Sequence, residues 1–328
     1  MAGSTSKFRV IGQIFERLGH RRVNPVTSQS NHQAGDEQET VNILKPILVN
    51  STGRSGSTLL MQLLGTSPQI MFDRVYPFEV RYLTYLLRWA LLLNESSKAN
   101  EVWNPGELLK NGGQLIGPLP YPKASFWPSG GAMWVKCFET AWKEFSMTSI
   151  AQARENNTLE IHPKYYAEKI STWVIGTLEK QSIDYNVILL IRDPRDVFLS
   201  VNAFDKQRGF SGFGRLTDDT DLDYAKRLVK SFQNLHKNKV MTSPNSFLVK
   251  YENLATDLPK EAQRLGQWLH LEFDAALVKE QEINFKHHMT SQNPKQSVER
   301  WRQELPKELN DFFIQELGEE MSYFGYET

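Results

Sequence analysis

The stretch "VNSTGRSGSTLL", residues 49–60, decides the fold predicted for this chain. It follows the apolar residues "PIL" and continues into the apolar segment "LLMQLLG". This pattern predicts a short buried strand over residues 47–49, a glycine-containing turn, and a helix over residues 57–64 that ends at Gly65. In this order the backbone N–H groups of the turn lie at a helix N-terminus, where partial positive charge favours anions. The stretch therefore predicts an anion-binding loop.

The composition of the loop distinguishes it from the loops that bind Mg–ATP. Those loops follow the pattern G-x-x-x-x-G-K-[ST], whose lysine reaches the β- and γ-phosphates. When the two are aligned on Gly56 and Thr58, Ser57 occupies the lysine position and the cation of the loop is Arg54. A guanidinium near an anion contributes roughly 4 kcal/mol at about 4 Å and an effective dielectric constant of about 20. The alternative interpretation is a serine-rich turn that carries a surface arginine.

A second motif, "NVILLIRDPRDVFLS", spans residues 186–200. It predicts a buried strand over 186–191, followed by a helix that Asp193 caps and whose first turn contains Pro194. Arg192 then stands at the carboxyl end of the strand, the edge at which open α/β sheets bind ligands. Ser200 follows about two helical turns later, so a guanidinium and a hydroxyl are available for a second anion. A salt bridge from Arg192 to Asp193 or Asp196 is the alternative.

Apolar strands alternate with helices along the rest of the chain. A further strand is predicted at residues 69–72, a strand and its exit at residues 246–254, and helices at residues 165–181 and 258–269, with Pro77 in the first turn of another helix. This alternation predicts an α/β fold in which helices cover both faces of a parallel sheet. We expect one domain over residues 41–328 and a flexible tail over residues 1–40, for which an amphipathic docking helix is the alternative.

Composition limits the classes of partner. The chain has 328 residues, 40% of them hydrophobic, and its 38 Lys and Arg balance 38 Asp and Glu, so a nucleic-acid partner is not expected. Its one cysteine, Cys137, excludes an intrachain disulfide and is typical of a reducing compartment. The most apolar helical segment, residues 82–93, contains Arg88 and is shorter than the roughly 20 residues of a membrane span. We therefore expect a cytoplasmic protein without a transmembrane span or a metal site.

The two motifs resemble those of a known enzyme family. "TGRSGSTLL" resembles the 5′-phosphosulfate loop of sulfotransferases that use 3′-phosphoadenosine 5′-phosphosulfate (PAPS), and "LLIRDPRDVFLS" resembles their 3′-phosphate motif. "YENLATDLPKEAQRLGQWL" and "SVERWRQEL" are also similar to stretches of that family. The likeness runs from about residue 43 to the C-terminus and is greatest to the carbohydrate and tyrosyl-protein branches and related bacterial proteins. It implies a P-loop-like sheet and direct in-line transfer of a sulfuryl group from PAPS to an acceptor hydroxyl. The product would be 3′,5′-bisphosphoadenosine (PAP), and no metal is implied.

The resemblance also assigns residues. The 5′-phosphosulfate would contact Arg54, Ser55, Gly56, Ser57 and Thr58. The 3′-phosphate would contact Arg192 and Ser200, and the rest of the nucleotide Tyr251 and Ser291. The catalytic residues would be Arg54, Glu79 as the base and Lys169 beside the bridging oxygen.

Three of these assignments have alternatives. Glu79, in "RVYPFEVRY", is also suited to the first turn of a helix, and His162, in "EIHPKYY", is a second candidate for the base. Lys169 belongs to an "EK" pair typical of the family, although Ile170 and Ser171 replace the usual Thr/Asp–Pro, and it would otherwise be a solvated helix lysine. Tyr251 would otherwise serve packing.

Several questions stay open at this level. A P-loop-type small-molecule kinase requiring ATP and Mg²⁺ is one alternative function, and a nucleotide-binding protein without catalysis is another. The acceptor is a sugar, a peptide tyrosine, a lipid or a secondary metabolite, and the oligomeric state is not predicted. Residues 205–216 are either a mobile lid on the acceptor side or a surface loop. Residues 100–135 either cap an acceptor pocket or form a structural insertion.

Overall fold

The computed structural model describes residues 43–91, 130–155, 163–237, 242–281, 290–291 and 293–328. The predictions for the tail over residues 1–40 and for His162 lie outside these ranges. Most of the segment over residues 100–135 also lies outside these ranges. Its last residues, from Gly130 onward, begin a helix and do not continue a loop. The division into a tail and one domain therefore stays a prediction.

A parallel sheet of five strands forms the centre of the described residues. The strands are β1 (Lys45–Ser51), β2 (Ile70–Met71), β3 (Tyr165–Ile170), β4 (Asn186–Ile191) and β5 (Ser246–Lys250). Their order across the sheet is β2-β3-β1-β4-β5, and every neighbouring pair is parallel. All six residues of β4 are buried, as expected for a strand with helices on both of its faces. The predicted fold class is confirmed.

Eleven α-helices accompany the sheet in the described ranges. They are α1 (Ser57–Leu64), α2 (Tyr82–Leu91), α3 (Gly130–Glu155), α4 (Thr172–Leu178), α5 (Pro194–Arg208), α6 (Asp221–His236), α7 (Tyr251–Thr256), α8 (Leu258–Leu269), α9 (Ala275–Gln281), α10 (Trp301–Glu304) and α11 (Lys307–Tyr323). A 3₁₀ turn, Lys295–Ser297, precedes α10. No helix in the described part of the chain combines the length and apolar character that crossing a bilayer requires.

The helices form two layers. Apolar residues of α1, α7, α8 and α9 pack on one face of the sheet, against Ile47 and Val49 of β1. Residues of α2, α3, α4, α5, α6 and α11 pack on the other face, where Leu48 points. Because successive strand residues alternate between faces, each buried strand contributes to both layers.

Two predictions about elements are wrong. Residues 165–181 do not form one helix, because β3 covers Tyr165–Ile170 and α4 begins only at Thr172. Pro77 is not in the first turn of a helix either, because Phe78 has a φ of 61° and its buried ring packs edge-on against Phe72. Residues 73–81 therefore form a loop, and Glu79 lies three residues before α2 rather than within its first turn.

Candidate active site

The loop over residues 52–56 joins β1 to α1 in a left-handed backbone conformation. The φ angles of Arg54 and Gly56 are 63° and 87°. A Cβ atom added at Gly56 would collide with the ring of Tyr251, so both the backbone angle and the close approach favour glycine there. Within the loop, Ser55 is fully buried, and its hydroxyl lies 2.5 Å from that of Thr52.

Arg192 connects the carboxyl end of β4 to this loop. Its guanidinium donates to the backbone oxygen of Arg54 at 3.1 Å and to that of Ser297 at 2.6 Å. It lies 4.4 Å from the centre of the Tyr251 ring, and its side chain is nearly buried. Its Nε is buried without a hydrogen-bond partner among the described residues. Two motifs that are distant in the sequence therefore meet at one point.

The carboxylates that the alternative interpretation paired with Arg192 bind other groups. Asp193 caps α5 by accepting from the backbone N–H of Arg195, and it forms an ion pair of 2.7 Å with the side chain of Arg195. Asp196 accepts from the backbone N–H groups of Glu299 at 2.7 Å and Trp301 at 3.0 Å. Burial raises the pKa of Asp196 to about 6, while the charge of Arg192 opposes that shift.

Arg54 and Ser200 form the second link between the motifs. Arg54 Nε donates to Ser200 Oγ at 3.2 Å, and the guanidinium lies 4.3 Å from the centre of the Phe204 ring. Burial lowers the pKa of Arg54 to about 10, and the nearby charge of Arg192 lowers it further. The buried guanidinium of Arg192 and the half-buried one of Arg54 repel each other, so an anion between them would be favoured.

Lys169 and Glu79 lie beside the start of α1. Lys169 Nζ donates to the backbone oxygen of Pro77 at 2.7 Å and to Thr58 Oγ1 at 3.4 Å, and it lies 3.7 Å from a carboxylate oxygen of Glu79. Burial lowers the pKa of Lys169 to about 8, and the charge of Glu79 opposes that shift. Because Lys169 is only 7% exposed and belongs to a strand, its interpretation as a solvated helix lysine is wrong.

A segment after residue 290 covers one side of these groups. The hydroxyls of Tyr251 and Ser297 lie 2.6 Å apart, and Ser297 also donates to the backbone oxygen of Pro294 at 2.6 Å. Tyr251 is the first residue of α7, directly after β5. Ser291 donates to the backbone oxygen of Asn293 at 2.9 Å.

These groups line one cleft of about 690 Å³. All the predicted site residues contribute to its walls except Ser55, which is buried behind the loop: Arg54, Gly56, Ser57, Thr58, Glu79, Lys169, Arg192, Ser200, Tyr251 and Ser291. They meet because β1, β3, β4 and β5 are parallel, so their carboxyl ends lie along the same edge of the sheet.

The sequence motifs missed one wall of the cleft, which we call the aromatic wall. Its rings belong to Tyr76, Phe204, Phe210 and Phe213. Phe204 was detectable, since it follows Ser200 by one helical turn on the same face of α5. The two other phenylalanines belong to the segment 205–216, which therefore borders the cleft. Its description as a lid stays a prediction.

The segment 205–216 is held by its own contacts. Arg208 forms an ion pair of 2.7 Å with Asp205, whose other oxygen accepts from the backbone N–H of Gly212 at 3.1 Å. The guanidinium of Arg208 lies 4.1 Å from the centre of the Phe210 ring. Within the described ranges, no group of three or more His, Cys, Asp or Glu residues is arranged to hold a metal ion.

The fold is α/β, and its cleft at the edge of a parallel sheet is lined by the cationic side chains of Arg54, Lys169 and Arg192. Residues 46–275 match the model of the sulfotransferase family, so the chain belongs to that family. In general terms its activity is therefore the transfer of a sulfuryl group. A search of curated proteins found no match.

Several solved structures resemble the chain. A sulfotransferase domain from the curacin biosynthetic pathway is 18% identical, with 87% of this chain and 99% of that chain covered and a TM-score of 0.49. The mouse sulfotransferase SULT7A1, solved with PAP, is 14% identical, with 84% of each chain covered and a TM-score of 0.42. The sulfotransferase STF9 of Mycobacterium avium is 14% identical, with 87% and 78% covered and a TM-score of 0.41.

Proposed function

We propose that the chain transfers the sulfuryl group of PAPS directly to an acceptor hydroxyl. One observation carries this proposal: Arg192 donates to the backbone of Arg54, and Arg54 donates to Ser200, within a single cleft. A bisphosphorylated adenosine has anionic groups at two ends, and this arrangement offers a cationic site for each. The volume of about 690 Å³ is in the range of roughly 300–1,000 Å³ that is typical of small-molecule sites.

The 5′ end of the donor would lie at the start of α1. There the backbone N–H groups of the helix terminus and the hydroxyls of Ser57 and Thr58 supply donors for the phosphosulfate. Arg192 and Ser200 would hold the 3′-phosphate, and the buried Nε of Arg192 supplies a donor without another partner among the described residues. The ring of Tyr251, whose centre lies 4.4 Å from the Arg192 guanidinium, would also contact the nucleotide.

The chemistry would follow from position and charge. The acceptor oxygen attacks the sulfur atom while the bond from sulfur to the bridging oxygen of the 5′-phosphate breaks, so PAP leaves without a covalent enzyme intermediate. Glu79 would take the proton of the acceptor hydroxyl, a contribution of roughly 10²–10⁴-fold for a general base. The ammonium of Lys169, 3.7 Å from Glu79, would stabilise the charge that develops on the leaving oxygen.

The acceptor would enter along the aromatic wall. Phe210 and Phe213 are 62% and 44% exposed, and both border the cleft. Exposed aromatic rings at the mouth of a site favour contact with a ligand over contact with water. His162 stays an alternative base, because it lies outside the described residues.

Ligand binding tests the proposal without knowledge of the acceptor. PAP at 100 times its dissociation constant should raise the free energy of unfolding by about 2.7 kcal/mol, which thermal denaturation would detect. ATP with Mg²⁺ and NAD, at equal concentration, should give much smaller shifts. Stabilisation by ATP and Mg²⁺ rather than PAP would favour a kinase and contradict the proposal.

Two substitutions test the phosphate assignments. Arg192→Ala and Ser200→Ala should weaken PAP binding, by roughly 100-fold and roughly tenfold respectively, because each removes a hydrogen bond to a charged group. Arg264→Ala is the matched control, since Arg264 pairs with Glu261 within α8 and does not line the cleft. Isothermal titration calorimetry would measure the affinities. Unchanged affinity in both cleft variants would show that the 3′-phosphate is bound elsewhere.

A further inference from the structure

Glu168 is a buried carboxylate that the proposed reaction does not use. It precedes Lys169 in β3 and is only 1% exposed. Because strand residues alternate between faces, Lys169 points towards α1 and the cleft, whereas Glu168 points into the opposite layer, at the start of α2. A carboxylate in such a position is costly unless its hydrogen bonds are satisfied.

The start of α2 satisfies both oxygens of Glu168. One oxygen accepts from the backbone N–H of Thr84 at 3.0 Å and from the Thr84 hydroxyl. The other accepts from the backbone N–H of Leu83 at 2.8 Å and from the hydroxyl of Tyr166 at 2.8 Å. A carboxylate has about four lone-pair sites, so the charged form matches this set of donors, and these hydrogen bonds oppose the burial that raises the pKa of Glu168. The helix N-terminus also favours negative charge.

These contacts attach α2 to β3. The hydroxyl of Tyr166 accepts from the backbone N–H of Tyr82 at 3.2 Å, so the first three N–H groups of α2 all bind side chains of β3. The strand β2, at the other end of the intervening segment, pairs with β3 through Ile70 and Met71. Residues 72–81 therefore run between two points that are both fixed to β3.

This segment carries the contacts of Lys169. The backbone oxygen of Pro77 accepts from Lys169 at 2.7 Å, and Glu79 lies 3.7 Å from the same nitrogen. We propose that Glu168 is a positioning residue, which holds the start of α2 on β3 and thereby keeps Glu79 beside Lys169. This inference rests on the proposed role of Glu79 as the base.

The variant Glu168→Gln tests the inference with little change of volume. Each carboxylate oxygen faces one backbone N–H of α2, so the amide NH₂ of glutamine would meet one of them in either orientation. The start of α2 should loosen and kcat should fall by roughly tenfold to 100-fold, the scale expected when a catalytic group is misplaced. The affinity for PAP should change less than about threefold, because Arg192 and the 52–56 loop are unaffected.

A matched control separates positioning from stability. Glu261 of α8 is also 1% exposed and forms an ion pair of 2.6 Å with Arg264, on the other layer of the sheet. Glu261→Gln should lower Tm but leave kcat unchanged. In the Glu79→Gln background, Glu168→Gln should cause little further loss of kcat, because its effect acts through Glu79. An equal loss in both backgrounds would overturn the inference.

Hydrogen exchange gives a measurement that does not depend on activity. Peptides covering residues 72–84 should exchange faster in Glu168→Gln than in the wild type or in Glu261→Gln. If the protein binds no PAP and transfers no sulfuryl group, the proposed function fails, yet this exchange still decides whether Glu168 fixes the segment. Unchanged exchange in Glu168→Gln would overturn the inference even in an active enzyme.

Discussion

Lys169 shows how burial sets the chemistry of a single residue. A surface lysine has a pKa near 10.4 and carries its charge throughout the neutral range. Burial lowers the pKa of Lys169 to about 8, so its charge depends on pH within the working range of an enzyme. The neighbouring carboxylate of Glu79 and the Pro77 carbonyl are what keep the charged form stable at neutral pH.

The pH dependence of kcat should report this pKa. If the charged amine stabilises the leaving oxygen, kcat should fall as pH rises through about 8, roughly tenfold per unit above it. Lys169→Arg keeps the charge to much higher pH, so this limb of the profile should move to higher pH even if kcat is lower. Rates measured from about pH 6 to pH 10 would show both effects.

Lys164→Arg is the control for this profile. Lys164 is exposed and lies just before the same strand, so its replacement should leave the limb in place. A limb near pH 8 that persists in Lys169→Arg would belong to a different group and would contradict the assignment.

At the scale of elements, local signals predicted helices and strands well where they were strong. The predicted bounds of α1 and β4 agree with Ser57–Leu64 and Asn186–Ile191, because glycine, proline and a capping aspartate mark their ends. The strand β3 was mistaken for a helix because Glu168 and Lys169 resemble the polar face of one. Their partners, Thr84 and Pro77, are more than 80 positions away, so no local pattern reveals that the charges are buried.

The same limit applies to the aromatic wall. Tyr76 and Phe213 come from loops whose paths depend on contacts formed elsewhere. Phe213, for instance, packs so closely against Gly53 that a Cβ atom there would meet its ring. Periodicity cannot predict such a contact, whereas the two arginine motifs needed only the shared edge of a parallel sheet.

Asp196 should control the segment that contains Pro294 and Ser297 and borders the cleft. It accepts from the backbone N–H groups of Glu299 and Trp301. These residues follow Ser297, whose backbone oxygen accepts a hydrogen bond from Arg192. Asp196→Ala should free this segment and weaken PAP binding by roughly tenfold, the scale of one or two lost hydrogen bonds. Calorimetric titration would measure the affinity.

Asp311→Ala provides the comparison, because Asp311 is an exposed residue of α11. It should leave PAP affinity unchanged. If Asp196→Ala binds PAP as tightly as the wild type, the segment does not need this carboxylate to keep its position.

At the scale of the whole molecule, aromatic packing holds the layer that contains α3. Trp142 is fully buried, donates to the backbone oxygen of Leu44 at 3.0 Å, and stacks on Phe145 with ring centres 5.2 Å apart. Trp142→Ala should lower the free energy of unfolding by about 3–5 kcal/mol, as is typical when a large buried aromatic residue is truncated. Denaturant titration followed by circular dichroism would measure this loss.

Trp89→Ala should behave differently. Trp89 is 53% exposed on α2, and exposed substitutions usually change stability by less than about 0.5 kcal/mol. A loss in Trp142→Ala as small as the one expected for Trp89→Ala would indicate that α3 packs less tightly than its contacts suggest.

The pairing of β3 has a consequence for how this chain tolerates insertions and deletions. Val49 of β1 stands opposite Lys169, and Leu48 opposite Glu168. A slip of one residue would turn the amine into the apolar layer and aim the acid at the cleft, where, under the proposed function, its charge would repel the anionic donor. Length changes between residues 165 and 170 should therefore abolish activity and also destabilise the fold, because they place an unpaired charge in the apolar layer.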